Sequence, residues 1–167
     1  MNKYIFLLST FLLVSCCSEV QSATEVLIPS GKEIYIPKDL QGMDLQNPDS
    51  KWSYHRMAYT DNFVIFWEKG FGNDLSNPPQ LEGYDMKVDL SNLTEKLESF
   101  YHFFRDTLKF SKPGSKCDKY RMMVMLNYSL EGTAYGGDYD GEIGALWIAP
   151  NLSLIHISEP TRHAQIS

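Results

Sequence analysis

Asn62-Phe63-Val64-Ile65-Phe66-Trp67-Glu68 contains an unbroken apolar run from Phe63 to Trp67. A strand with one face in water alternates apolar and polar side chains, whereas a strand covered on both faces is free to be apolar throughout. The run is too short for a buried helix and is made of β-branched and aromatic residues, so it reads as a strand at the centre of a sheet. Just upstream, Trp52 to Thr60 has a similar aromatic and β-prone character, and Asp61-Asn62 between the two runs are residue types that tolerate a tight turn. The two runs are expected to form an antiparallel pair.

Working outward, Lys69 to Pro79 is loop in composition, rich in Gly, Asn, Ser and Pro. Asp89 to Leu108 carries the clearest helical signal. Leu90, Leu93, Leu97, Phe100, Tyr101, Phe104 and Leu108 recur at steps of three and four, with Glu95, Lys96, Glu98, Arg105 and Asp106 mainly off that stripe. Asp89 or Ser91 can cap its start, and Lys112-Pro113-Gly114 closes the segment. Lys119 to Asn127 is a second buried strand around Met122 to Leu126, its methionines serving as core filler. Ile143 to Ala149 is the last strand before Pro150. Upstream of the sheet, Glu25 to Ile28 and Glu33 to Ile36 suggest a small hairpin or edge pair, and Gln41 to Lys51 reads as loop. The order implies an α+β domain: a mixed or antiparallel sheet backed by one amphipathic helix. With a single helix, the apolar face made by Val64, Phe66, Val124 and Leu126 is expected to lie uncovered and to favour aggregation.

The two ends of the chain read differently. Met1 to Val14 has an early Lys3 and an apolar run from Ile5 to Val14, too short to span a bilayer and laid out as an export signal. It ends in Leu13-Val14-Ser15-Cys16, which resembles the lipobox of bacterial prolipoproteins. That resemblance implies a signal peptide over residues 1–15, a Cys16 carrying diacylglycerol and acyl chains such as palmitate, and a tether over residues 16–24. Cys17 rather than Asp follows it, which implies the outer membrane within the cell envelope. Cys117 is the lone thiol of the remaining chain, so no disulfide framework is available. At the other end, Leu152-Ser153-Leu154-Ile155-His156-Ile157-Ser158-Glu159-Pro160-Thr161-Arg162 resembles one reading frame of a transposon-library sequencing adapter, and His163 to Ser167 fit its barcode and the constant bases that follow. Residues 152–167 are expected to be artefact. This leaves 25–51 as a short β and loop segment and 52–151 as the front part of a domain.

A net charge of −6 and a pI near 5.1 provide no basic face for a phosphate backbone, so nucleic acid is not an expected partner. Asp138, Asp140 and Glu142 in Gly136-Gly137-Asp138-Tyr139-Asp140-Gly141-Glu142 are a weak calcium candidate. Alternating carboxylates with a glycine can wrap a hard cation, but EF-hand spacing is not met, and a solvated turn is the plainer reading. His55 and His102 are isolated and read as surface or satisfied core residues. Trp52, Tyr54, Tyr59 and Trp67 would make a sugar-stacking platform where they face solvent, though sheet core is the plainer use of most of them.

Three segments are more specific: Asn62 to Asn73, Asp118 to Tyr128 and Ile143 to Pro150. They resemble a family of exported proteins from gut-dwelling Gram-negative bacteria, a domain of unknown function with a zincin-like site. The resemblance covers Trp52 to Asn151 and implies the N-terminal half of a zincin-like domain, in which the last strand forms a substrate rim and the next helix bears the zinc ligands. Gly144, Ala145, Leu146 and Trp147 are the rim candidates, able to pair with an extended peptide. No zinc ligand and no catalytic residue falls within this chain, which is expected to be inactive, while zinc is expected for the complete form. The alternative is a non-catalytic surface lipoprotein that captures glycan or protein through the aromatic strands and the Asp138 loop.

Overall fold

A computed structural model of the chain describes residues 31–131 and 134–150. Short helix α1 (Lys38–Gln41) precedes strands β1 (Met57–Tyr59) and β2 (Phe63–Trp67). Helix α2 (Leu90–His102) runs into a π-helical turn, Phe103–Thr107, and one-turn helix α3 (Lys116–Lys119) leads into β3 (Met122–Leu126), β4 (Ala134–Tyr139) and β5 (Ile143–Ile148). The strands form one five-stranded sheet in the order β1-β2-β3-β5-β4. β2, β3 and β5 are parallel, and β1 and β4 flank them antiparallel. The domain is α+β with a mixed sheet and one long helix.

Phe63 to Trp67 is fully buried, as a run apolar on both faces requires. Its register with β3 sets Phe63, Ile65 and Trp67 beside Met122, Val124 and Leu126 on one face, and Val64 and Phe66 beside Met123 and Met125 on the other. Each face has its own core. Leu93, Leu97, Phe71, Leu75, Met86 and Val88 cover the first. Leu40, Leu45 and Trp52 cover the second, with Ile34, Tyr35 and Ile36 packed at its edge.

The expected bare face is therefore absent. Val64, Phe66, Val124 and Leu126 do not share a face, because the register separates the first two from the last two. All four are at most 1 % exposed. The layer that covers Val64 and Phe66 comes from residues 34–52, loop-like in composition but carrying apolar anchors at intervals. Arg56 holds part of that layer by donating to the carbonyls of Pro48, Ser50 and Lys51.

The antiparallel pairing of β1 with β2 is as read, Thr60 N–H donating to Phe63 O across the turn at 2.9 Å. Glu25 to Ile28, and with it the expected hairpin, lies outside the described residues; Glu33 forms a single parallel bridge to Tyr120. Asp89 caps α2 by accepting from Asn92 N–H at 2.9 Å. The helical stripe changes character along its length: Leu93 and Leu97 are buried, while Phe100, Phe104 and Leu108 are exposed.

Candidate functional site

Ala134 to Tyr139 is poor in β-formers, yet six register pairs with β5 hold it extended. It ends the sheet order, and its outer edge has no strand partner among the described residues. Among the described residues, the peptide groups along that edge are a ladder of donors and acceptors that no strand fills. β5, in contrast, lies inside the sheet, bonded to β3 on one side and β4 on the other. Gly144, Ala145, Leu146 and Trp147 consequently have no free edge to offer an extended peptide, and the strand at the sheet's edge is β4. Gly144 instead makes room in the core: a Cβ there would meet Met122 Cε at 2.7 Å.

On one face of β4 and β5, Trp147 is clasped between two tyrosines. Tyr135 stacks on it at 4.8 Å with the planes 10° apart, and Tyr139 meets it edge-on at 4.8 Å. On the other face, Leu146 looks toward α2 across a groove of about 440 Å³ that also takes in Gly136 and Met122 and is walled by Phe100, Phe104 and Phe110. Phe110 is 75 % exposed and Phe100 57 %, although both line this hollow. At its margin Tyr101 is well tethered. Lys32 and Arg105 donate to its hydroxyl at 2.8 and 2.9 Å, and the hydroxyl donates to Cys117 O at 3.3 Å.

The carboxylates of the β4–β5 turn answer separate partners. Asp140 accepts from Tyr35 Oη–H and Lys38 N–H, both at 2.9 Å, and the Lys38 backbone donor, ahead of Tyr35, holds its carboxyl below the ordinary aspartate value. Glu142 pairs with Lys116 at 2.8 Å, and Asp138 accepts from Gly141 N–H at 2.7 Å. The turn thus pins the 35–38 segment and α3 to the sheet end. Among the described residues no group of three His, Cys, Asp or Glu side chains is placed to hold a metal ion. His55 faces Gln46 O at 3.0 Å, and His102 lies between Asp106 at 2.8 Å and Glu98 at 3.8 Å on its own helix.

The four aromatic residues singled out upstream make no common platform. Trp52 and Trp67 are buried in opposite cores, Tyr54 packs on Phe66, and Tyr59 lies under the Arg121 guanidinium. Composition does not reveal which face a ring takes, because only the register decides that.

Sheet order and site together define an α+β domain with a free antiparallel edge strand beside an apolar groove. The chain belongs to DUF6055, a family of unknown function whose model matches residues 27–158. No curated protein and no solved structure matches it. Among the described residues no helix is long and apolar enough to cross a membrane, which has no bearing on a lipid anchor at Cys16.

Proposed function

We propose that this chain is the substrate-rim part of a zinc-dependent, peptidase-like domain carried on an outer-membrane lipoprotein, with the zinc-binding helix contributed by sequence that follows β5. The observation that supports it most is the unpaired edge of β4 lying beside the groove under Leu146. An extended peptide laid against that edge gains main-chain hydrogen bonds, and its alternate side chains fall toward the groove. In this reading the part of the described residues is to hold and orient a peptide backbone. A helix following β5 would bury Phe100, Phe104 and Phe110 and bring its metal ligands beside the same edge. When bound, zinc supplies an activated water and polarises the scissile carbonyl. Cys16, lipid-modified, would tether the domain to the membrane through residues 16–24.

The test begins with resequencing the source locus across the codon for Asn151. A reading frame that continues into a helix with two histidines one turn apart, expressed as the continued chain, is expected to cleave an unfolded protein substrate and to lose that activity on chelation. A natural stop after Ser167 removes the peptidase reading and leaves the non-catalytic binder of glycan or protein.

A further inference from the structure

Glu68, Asn127 and Ala149 are the residues that directly follow β2, β3 and β5. Where the parallel strands end, these three, with Lys51, Ser129, Glu131 and Tyr135, surround a pocket of about 360 Å³. The carboxyl ends of parallel strands are where open sheets gather ligand-binding groups from separate loops. This pocket differs from the groove under α2 in being lined mainly by polar atoms.

Its chemistry narrows the ligand. Lys51 pairs with Glu68 at 3.1 Å, and Glu131 adds a second carboxylate. A lining that carries one ammonium and two carboxylates disfavours phosphate or sulfate, which need clustered cations. Ser129 Oγ accepts from Glu131 N–H at 3.0 Å and keeps its own proton to donate. The Asn127 backbone N–H is spent on Ile148 O at 2.8 Å, leaving the side-chain amide to offer both a donor and an acceptor. A ligand that gives and takes hydrogen bonds in comparable number, without a strong charge, fits this lining.

Tyr135 supplies the remaining element. One face of its ring is stacked on Trp147, itself braced by Tyr139, while the residue stays 53 % exposed. The result is a fixed aromatic plate with an open outer face at the rim of a polar pocket. The negative π-face of such a plate attracts the C–H face of a sugar ring while the hydroxyls remain free for polar groups. We propose that this pocket binds a short neutral saccharide, one ring stacked on Tyr135 and its hydroxyls shared among Asn127, Ser129 and the Lys51–Glu68 pair. The site uses none of the groove residues and needs no metal, so it stands or falls apart from the peptidase reading.

The experiment is calorimetric titration of the full chain with two probes, cellotetraose and the N-acetylglucosamine tetramer. At least one is expected to bind with a dissociation constant of about 1 mM or tighter. Tyr135→Ala is expected to weaken that binding by at least about tenfold, and Tyr135→Phe, which keeps the plate, by less than about threefold. Tyr84→Ala, at a tyrosine 58 % exposed that does not line the pocket, is expected to bind as the parent does. Absence of binding to both tetramers by the folded parent chain overturns the proposal. So does Tyr135→Ala or Tyr135→Phe departing from its expected pattern, or an equal loss in Tyr84→Ala.

Discussion

At the scale of single residues, the side chains that hold the fold are polar ones turned inward. Arg121 is 2 % exposed, donates from Nε to Thr60 O at 2.7 Å and from Nη1 to Lys32 O, and faces the Tyr59 ring at 5.4 Å. It therefore joins the Lys32 segment, the β1–β2 turn and the start of β3. Arg121→Met keeps much of the volume but removes the donors from two backbone carbonyls, and urea unfolding is expected to show a loss of about 2–4 kcal/mol. Glu98 makes a second cross-tie, accepting from Asn62 N–H at 2.9 Å and Asn62 Nδ2–H at 2.6 Å. Burial pushes its pKa up, but hydrogen bonds from Thr60 and Asn62 together with the His102 charge outweigh that and leave it lowered. A lowered folded-state value means the unfolded chain takes up the proton more readily. Glu98 thus contributes stability in full above its ordinary value of 4.5, and that contribution is lost as pH falls through the lower folded value. Glu98→Gln is expected to be less stable than the parent at pH 7 and to show a flatter decline in unfolding free energy below pH 4.5 in acid titrations followed by circular dichroism.

At the scale of elements, β2 and α2 were legible in the sequence, and β4 was not. Phe63 to Trp67 signalled its position because burial on both faces leaves a mark in composition. Ala134 to Tyr139 reads as turn, with two glycines and Asp138, because its extended form comes from the ladder to β5 and not from its own propensities. With β4 unseen, nothing in the sequence signalled that β5 lies inside the sheet, paired on both sides. The stripe on α2 is apolar as its periodicity predicts, but sequence alone could not show that only Leu93 and Leu97 are fully buried, with Leu90 and Tyr101 half-buried, and that the stripe continues past the layer beneath it. Its exposed half should be chemically evident. The folded chain is expected to bind an apolar fluorescent dye and to self-associate as concentration rises, because Phe100, Phe104 and Phe110 wall an open groove. The double substitution Phe100→Glu and Phe104→Lys is expected to cut dye binding several-fold and restore monomeric sedimentation, with the far-ultraviolet spectrum unchanged. If dye binding persists undiminished in a folded double variant, the exposed surface lies elsewhere.

At the scale of the whole molecule, the sheet is a partition between two cores, and the two sides are built differently. The α2 side is regular and was foreseeable from periodicity. The other side is a wrap of residues 34–52 whose anchors, Leu40, Leu45 and Trp52, are spaced too irregularly to announce a layer, and whose Gln41 to Lys51 portion is rich in Asp, Asn, Pro and Gly. Yet Leu40 is 2 % exposed, and Val64, Phe66, Met123 and Met125 beneath this wrap are wholly buried. The match of the family model from residue 27 is consistent with the wrap being part of the domain. A chain beginning at Trp52 should therefore expose the central strands on one side even though it retains every strand. It is expected to be recovered as aggregate, or as a species without a cooperative thermal transition, whereas a chain beginning at residue 27 melts cooperatively. Leu40→Ala in the longer chain is the graded version of the same cut. It leaves the wrap in place but opens a cavity over the Val64 and Phe66 face, with an expected cost of about 2–4 kcal/mol in urea unfolding. If the chain beginning at Trp52 melts as sharply as the longer one, the wrap is an ornament and the sheet is held from the α2 side alone. The burial of Val64 and Phe66 would then have to come from some other contact.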